Sequence, residues 1–311
     1  MTLIAKVRTT PISTERALKL LELILKQEVK NYEVPSFPNI EYWFDEDVIE
    51  GLAKLRAAIF SVEDDRLQNL FKVAFSETIR LVSKADLGEF KLVRAERSKK
   101  KDVQLVFEAI ARRNIVRLSV LSKLTLKARV DIQRVNVLED LPLQDESVDL
   151  VITSPPYGDS KTTVAYEQFS KLPIKWLGLD DSFKNHQLGA KEKDFEQTLP
   201  SEELNECLEE IKRVDVKRAR EVYSFYADLY KAIENISKKV KPGKHAVVVV
   251  GNRTVKGVEL PTDKICADFF RQFGFVHIST LVREISNKRM PAGTMKHEYV
   301  VILRKSGYNN Q

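Results

Sequence analysis

The residues best suited to chemistry form one short stretch, Ser154-Pro155-Pro156-Tyr157. It offers a serine hydroxyl, a backbone carbonyl ahead of a proline, and an aromatic ring. These groups can hold a flat nitrogen base, because the oxygens accept hydrogen bonds from its amino group and the ring stacks on its face. An exocyclic amine is a poor nucleophile, since its lone pair is delocalised into the ring. Two acceptors aimed at its hydrogens favour a tetrahedral nitrogen whose lone pair is free to attack.

The segment before this stretch must position it. Residues 148–152 form an apolar run broken only by Asp149, which predicts a strand buried on both faces within a parallel sheet. Two prolines then end the strand, because neither can donate to a strand ladder and each fixes its φ angle. The stretch is therefore predicted to be a rigid loop at the carboxyl end of a central strand, where open α/β sheets bind their ligands.

Ser-Pro-Pro-Tyr resembles the catalytic motif of DNA amino-methyltransferases, which move a methyl group from S-adenosylmethionine to adenine N6 or cytosine N4. The resemblance implies that Ser154 and the Pro155 carbonyl, supported by Pro156, bind the amino group. It also implies that Tyr157 stacks on a base flipped out of the duplex. Thr153, with Ser154, would lie near the methionine end of the cofactor. Serine at the first motif position favours cytosine N4 over adenine N6.

Composition limits the class of protein. The chain has 311 residues, 43% hydrophobic and 31% charged, which is typical of a soluble protein with one large domain or two small ones. Its net charge of +6 is compatible with a nucleic-acid substrate. No apolar run is long enough to span a membrane, and the first residues do not resemble a signal peptide. The two cysteines are far apart with no metal-ligand spacing, so we expect a reduced, cytoplasmic enzyme without a metal site.

Helical periodicity dominates the first part of the chain. Ser13 is a plausible N-cap for a helix from about Thr14 to Lys30, and apolar spacing predicts further helices over 47–60, 64–83 and 102–123. We predict that residues 1–30 begin a methyltransferase core and that 31–128 form an all-helical insertion that contacts DNA. Residues 129–311 would contain the rest of the core.

Basic residues provide candidate DNA contacts. A run between two predicted helices could bind phosphates, although such a run can equally be a solvated turn. Further candidates follow the motif or lie in the loop between the last two predicted strands. The full set is Arg94, Arg97, Lys99, Lys100, Lys101, Lys161, Asn287 and Arg289.

The second part of the chain has an α/β pattern. It predicts strands over 130–135 and 246–250, a helix over 260–273, and a terminal hairpin of 276–282 with 298–303. This order resembles the second half of a class I, Rossmann-like methyltransferase fold. Residues 160–200 have little periodicity and several aromatics. We expect them to close over the target base or read its neighbours. The alternative is a surface segment that only packs against the rest of the protein.

The glycine-rich cofactor loop of that fold is absent from the sequence. None of the eleven glycines forms a Gly-x-Gly pair, although the backbone must approach the cofactor closely. The first two strands of that fold are lacking as well. In the family strand order 3-2-1-4-5-7-6, they would lie between 130–135 and 148–153. We therefore expect the chain to begin partway through the fold. A second, smaller polypeptide would then supply the loop, making a split enzyme.

The favoured function is methylation of double-stranded DNA, as the modification half of a restriction–modification system. Related loops with Asn or Asp before Pro-Pro-Tyr leave two other substrates open, an RNA guanine N2 or a protein glutamine. A further alternative is a non-catalytic DNA-binding subunit whose cofactor site has been lost.

Overall fold

A computed structural model describes residues 2–88, 91–95, 101–123, 128–157, 166–180, 187–285 and 296–307 of the chain. The helices are α1 (Thr2–Thr9), α2 (Thr14–Lys26), α3 (Ile40–Trp43), α4 (Glu46–Phe60), α5 (Asp65–Val82), α6 (Val103–Lys123), α7 (Tyr166–Leu177), α8 (Glu202–Val214), α9 (Val216–Lys239) and α10 (Thr262–Arg271). The strands are β1 (Val148–Thr153), β2 (Val240–Val250), β3 (Arg253–Val255), β4 (Val258–Leu260), β5 (Phe275–Glu284) and β6 (His297–Lys305). Within these ranges, no helix is long and apolar enough to cross a membrane.

The chain divides into two compact units. A helical unit contains residues 1–134 and 164–181, and an α/β unit contains residues 135–163 and 182–311. The predicted boundary after residue 30 does not separate these units. Leu21 and Ile24 of α2 are buried in one core with Leu52 of α4 and Phe71 of α5. An amphipathic helix must bury its apolar stripe, and α2 buries its stripe among the other helices.

Local signals predicted most of the long helices well. The Ser13 hydroxyl accepts a hydrogen bond from Arg16 N, and Asp64 accepts from Arg66 N and Leu67 N, so both helices begin at a side-chain cap. Helix α2 ends at Lys26, four residues before the predicted end, because Gln27 adopts an extended conformation.

Residues 160–200 include a helix that their weak periodicity did not predict. Helix α7 forms there despite Pro173, and its Trp176 is fully buried in the helical unit. The Trp176 ring meets the rings of Phe37, Phe44 and Phe75 edge to face. Burial of large aromatic surfaces outweighs the weak helical pattern, because each such ring removes a large apolar area from water.

The α/β unit contains a mixed sheet with the strand order β1-β2-β6-β5. Strands β1 and β2 are parallel, whereas β6 is antiparallel to both β2 and β5. The predicted terminal hairpin is therefore confirmed. The order and the directions are those of strands 4-5-7-6 in the fold that the sequence resembles. A two-stranded sheet of β3 and β4 follows β2.

One face of the mixed sheet forms a core with the helices of this unit. Val248 of β2 and Val301 of β6 are buried with Leu229 of α9 and Phe269 of α10. On β1, however, Leu150 is 50% exposed and Ile152 is 69% exposed. The prediction that β1 is buried on both faces is therefore wrong. In the described residues β1 is an edge strand, so only β2 lies beside it.

Residues 130–135 form no strand, contrary to the sequence prediction. Their alternation of apolar and polar side chains is real, and Val130 and Val135 are both exposed. A strand also needs a neighbouring strand to pair its backbone groups, and among the described residues this segment has none.

The segment of residues 187–200 packs against α9. Gly189 N donates to Asp228 Oδ2 at 2.7 Å, and Lys193 N donates to Ser224 Oγ at 2.8 Å. Farther along, Gln197 N donates to the Tyr223 hydroxyl at 3.2 Å. Residues 187–200 are therefore packed against the rest of the α/β unit, which is what the alternative prediction for 160–200 expects.

We expect Gly189→Ala to destabilise the protein more than Gly243→Ala. Both glycines have positive φ angles, 73° and 76°, which strain any other residue. A Cβ at Gly189 would lie 3.0 Å from Phe225 Cα, whereas a Cβ at Gly243 would meet nothing within 4 Å. The strain alone costs about 1–2 kcal/mol, and we expect the clash at Gly189 to add at least ~1 kcal/mol because backbone must move. Urea unfolding of both variants measures the difference. Equal losses of the free energy of unfolding would contradict the close packing of Gly189 against α9.

Candidate active site

The Ser154-Pro155-Pro156-Tyr157 motif follows β1 directly, at the end of the mixed sheet where β1 and β2 finish. Because β1 and β2 are parallel, their carboxyl ends lie together at this end of the sheet. The start of β6 and the end of β5 lie there too, since Tyr299 pairs with Val250 and Arg283 pairs with Glu298. Residues distant in the sequence therefore meet beside the motif, as predicted for a ligand-binding edge of an α/β sheet.

A row of hydrogen bonds links the motif to the terminal hairpin. The hydroxyl oxygens of Ser154 and Tyr157 are 3.2 Å apart, and the Tyr157 hydroxyl donates to Glu298 Oε1 at 3.0 Å. Glu298 also pairs with Arg283 across the hairpin, and its side chain is only 13% exposed. Ser154 itself is exposed, so its hydroxyl is accessible to a substrate.

Glu298 and Arg283 are site residues that the sequence did not predict. The available signal was a glutamate at the start of an otherwise apolar strand, which is weak because strands often begin with charged residues. Only the pairing of β5 with β6 and of β6 with β2 brings this carboxylate to Tyr157, which lies 141 residues earlier.

The Tyr157 ring is half-buried against the core of the α/β unit. Thr153, Pro155 and Pro156 are also half-buried. The motif is therefore held by packing on one side and by hydrogen bonds at the tyrosine hydroxyl. Such a loop is rigid before a substrate arrives, because proline also restricts the backbone.

The segment that leads into β1 is tied to the end of α9. Asn235 Nδ2 donates to the carbonyls of Val137 and Glu139, each at 3.0 Å. The buried Lys239 Nζ lies 2.8 Å from an oxygen of Asp140 and 2.8 Å from an oxygen of Asp145. These contacts determine where β1 begins and so where the motif ends up.

The structure describes two of the predicted DNA contacts, both in the helical unit. Arg94 is exposed, and its guanidinium lies over the Tyr42 ring, 4.6 Å from the centroid. Lys101 is half-buried, and its Nζ donates to the Leu81 carbonyl at 2.9 Å, so this lysine has a structural contact near the end of α5. The remaining candidates lie outside the described residues: Arg97, Lys99, Lys100, Lys161, Asn287 and Arg289.

Comparison with known proteins gives one strong similarity. The Type II methyltransferase M.MvaI of Kocuria varians is 36% identical over an alignment of 325 positions, which covers 93% of this chain and 71% of that protein. This chain therefore belongs to the family of type II DNA methyltransferases, in which S-adenosylmethionine is the methyl donor. No model of a known protein family matches the sequence.

Solved structures of a DNA modification methylase from Thermus thermophilus are more distant. One is 16% identical and covers 55% of this chain and 50% of that chain, with a TM-score of 0.29. Another, complexed with S-adenosyl-L-methionine, is 18% identical with the same TM-score of 0.29.

We expect Lys239→Met to lower the free energy of unfolding by an amount that depends on pH. The hydrogen bonds with Asp140 and Asp145 raise the pKa of Lys239, and the Lys239 ammonium lowers the pKa of Asp140. A lowered carboxyl pKa stabilises above the unfolded pKa, about 4, and a raised ammonium pKa stabilises below the unfolded pKa, about 10. The difference between wild type and variant should therefore be constant from about pH 5 to pH 9 and shrink outside that window.

Lys238→Met is the matched control, because Lys238 is more exposed and pairs with Glu234 one turn earlier on α9. Urea unfolding across the pH range measures both variants. A Lys239→Met loss that does not change between neutral and acid pH would show that the ion pairs contribute nothing to it.

Proposed function

We propose that this chain transfers a methyl group from S-adenosylmethionine to the exocyclic amine of a base flipped out of duplex DNA. Cytosine N4 is favoured over adenine N6. The observation that carries the proposal is the Ser154-Pro155-Pro156-Tyr157 motif at the carboxyl end of β1, with the Tyr157 hydroxyl held between Ser154 and Glu298. The enzyme would be the modification half of a restriction–modification system in the cytoplasm.

The motif residues act on the target amine. Ser154 Oγ and the Pro155 carbonyl accept its two N–H hydrogen bonds, which favours a tetrahedral nitrogen with an available lone pair. The Tyr157 ring stacks on the flipped base. S-adenosylmethionine supplies the electrophilic methyl group. Transfer needs no covalent intermediate with the protein, so the motif has to bind and orient the base.

The described residues offer the cofactor little more than one wall. Thr153 and Ser154, at the end of β1, face the methionine end of the cofactor in this proposal. No Gly-x-Gly loop exists in the sequence, and among the described residues no strand lies beyond β1 to carry such a loop. The described residues therefore do not by themselves build a complete cofactor site.

We propose that a second subunit completes the sheet at β1 and provides the glycine-rich loop. Two features of this edge support it. The edge of β1 that faces away from β2 has no strand beside it among the described residues, which leaves backbone groups to pair. Leu150 and Ile152 expose apolar side chains on one face of β1 beside this edge, and water is a poor environment for such side chains in a strand.

DNA binding would involve the helical unit. Arg94 is exposed and stacked on Tyr42, which leaves its guanidinium donors available to phosphate oxygens. Contacts of this kind position a protein on the duplex without reading its sequence. In this proposal, the basic candidates that follow Arg94 in the sequence, Arg97, Lys99 and Lys100, add further phosphate contacts.

We expect the 311-residue chain alone to show no heat of S-adenosylmethionine binding in calorimetry. The physical reason is the absent glycine loop, without which the backbone cannot approach the cofactor closely. Circular dichroism on the same sample must first show a folded protein. Tight binding by the folded chain would overturn the second-subunit proposal, because the chain would then contain its own cofactor site.

We expect Ser154→Ala to lower the rate of methyl transfer to DNA by about 100-fold, the usual effect of removing one positioned hydrogen-bonding group. DNA affinity should change less than about 2-fold, because affinity depends mainly on phosphate contacts. The assay uses a preparation in which the wild type transfers methyl groups to DNA. Mass spectrometry of the hydrolysed DNA distinguishes N4-methylcytosine from N6-methyladenine.

Ser147→Ala is the matched control, since Ser147 precedes the other end of β1 and its hydroxyl donates to the Gln144 carbonyl. It should leave transfer unchanged. Equal transfer by Ser154→Ala and the wild type would favour a non-catalytic subunit. If the wild-type enzyme transfers methyl groups to tRNA or protein rather than to DNA, one of the other substrates is favoured.

A further inference from the structure

The hydrogen bonds around Tyr157 have a direction. A carboxylate only accepts hydrogen bonds, so Tyr157 must give its single hydroxyl proton to Glu298 Oε1 at 3.0 Å. Its oxygen is then an acceptor toward Ser154, 3.2 Å away, and the Ser154 hydroxyl proton points to Tyr157. Only the lone pairs of Ser154 Oγ remain for a substrate.

Arg283 keeps this direction fixed. It pairs with the same Glu298 carboxylate from the neighbouring strand β5. A guanidinium has donors and no acceptor, so it cannot accept a hydrogen bond from Tyr157 or reverse the direction of these hydrogen bonds. The pair also holds Glu298, which is only 13% exposed, at the site edge.

We infer that Glu298 is a positioning residue that makes Ser154 an acceptor toward the target amine; this inference rests on the proposed function. The direction matters because a serine hydroxyl can also donate. A Ser154 hydroxyl that donated to the amine nitrogen would occupy the lone pair that must attack the methyl group. Glu298, acting through Tyr157, directs the hydroxyl proton of Ser154 toward the Tyr157 oxygen, although Glu298 does not contact the base.

The test replaces Glu298 with glutamine, which has nearly the same shape but carries an amide that can donate. The amide NH₂ can donate to the Tyr157 oxygen and so reverse the direction of these hydrogen bonds. The neutral amide oxygen also accepts a hydrogen bond from tyrosine less strongly than a carboxylate does. We expect kcat for DNA methylation to fall about ten-fold, while KM for DNA changes less than about two-fold. Glu298→Asp, which keeps the charge, should recover part of kcat.

Glu284→Gln is the matched control. Glu284 is exposed on the same hairpin, one residue beyond Arg283, and pairs in register with His297. It should leave both kcat and KM unchanged. A Glu298→Gln enzyme with wild-type kcat would overturn the inference, as would an equal loss in Glu284→Gln.

A second measurement does not need turnover. The nine tyrosines can be labelled with 3-fluorotyrosine, and the fluorine signal of Tyr157 assigned by its loss in Tyr157→Phe. We expect Glu298→Gln to shift the Tyr157 signal and Glu284→Gln to leave it in place. An unshifted signal in Glu298→Gln would overturn the inference.

The two measurements separate this inference from the proposed function. If the wild type methylates no DNA in any preparation, the proposed function fails, and the positioning role of Glu298 fails with it even if the fluorine signal shifts. If the wild type methylates DNA and Glu298→Gln equals it, only the positioning role fails.

Discussion

The parallel pairing of β1 with β2 is the constraint on which the candidate site depends. It extends from Val148 to Thr153 and brings the carboxyl ends of the two strands to one edge. The prolines of the motif then stop the ladder at that edge, so the chain cannot continue as a strand. Any shift in the pairing by one residue would turn the side chains of β1 to the opposite face and move the motif away from Glu298.

Two sets of polar contacts hold this arrangement at its ends. Lys239 and Asn235 of α9 hold the segment before β1, and Glu298 holds the tyrosine after it. The first set is remote from the chemistry and determines the position of the strand. The second set lies at the candidate site, and in our proposal it determines which hydrogen bonds the serine can make. Rigid support of this kind lets a loop bind its ligand without a large ordering cost.

Strand β1 leaves one edge without a neighbouring strand among the described residues, and it exposes Leu150 and Ile152 on one face beside that edge. Unpaired edges promote association with other chains, and many proteins protect them with charges. On β1 the only charge is Asp149, whose oxygens lie 3.1 Å from Lys241 Nζ and 3.3 Å from Lys244 Nζ of β2. These pairs lie at the start of the strand, whereas Leu150 and Ile152 farther along are unprotected. This unprotected edge is the feature that supports the proposed second subunit.

The amino-acid sequence by itself determined the helices α4, α5 and α6, the terminal hairpin and the motif loop. Helical hydrogen bonds join residues four apart, and prolines act on their own backbone, so the helices and the motif loop are local. The hairpin joins two strands that are consecutive in the chain, and such strands usually pair. The tertiary structure alone decided that α7 forms around the buried Trp176, that residues 130–135 remain unpaired, and that Glu298 reaches Tyr157. Each of these depends on a partner distant in the chain, and periodicity carries no information about which distant residues meet.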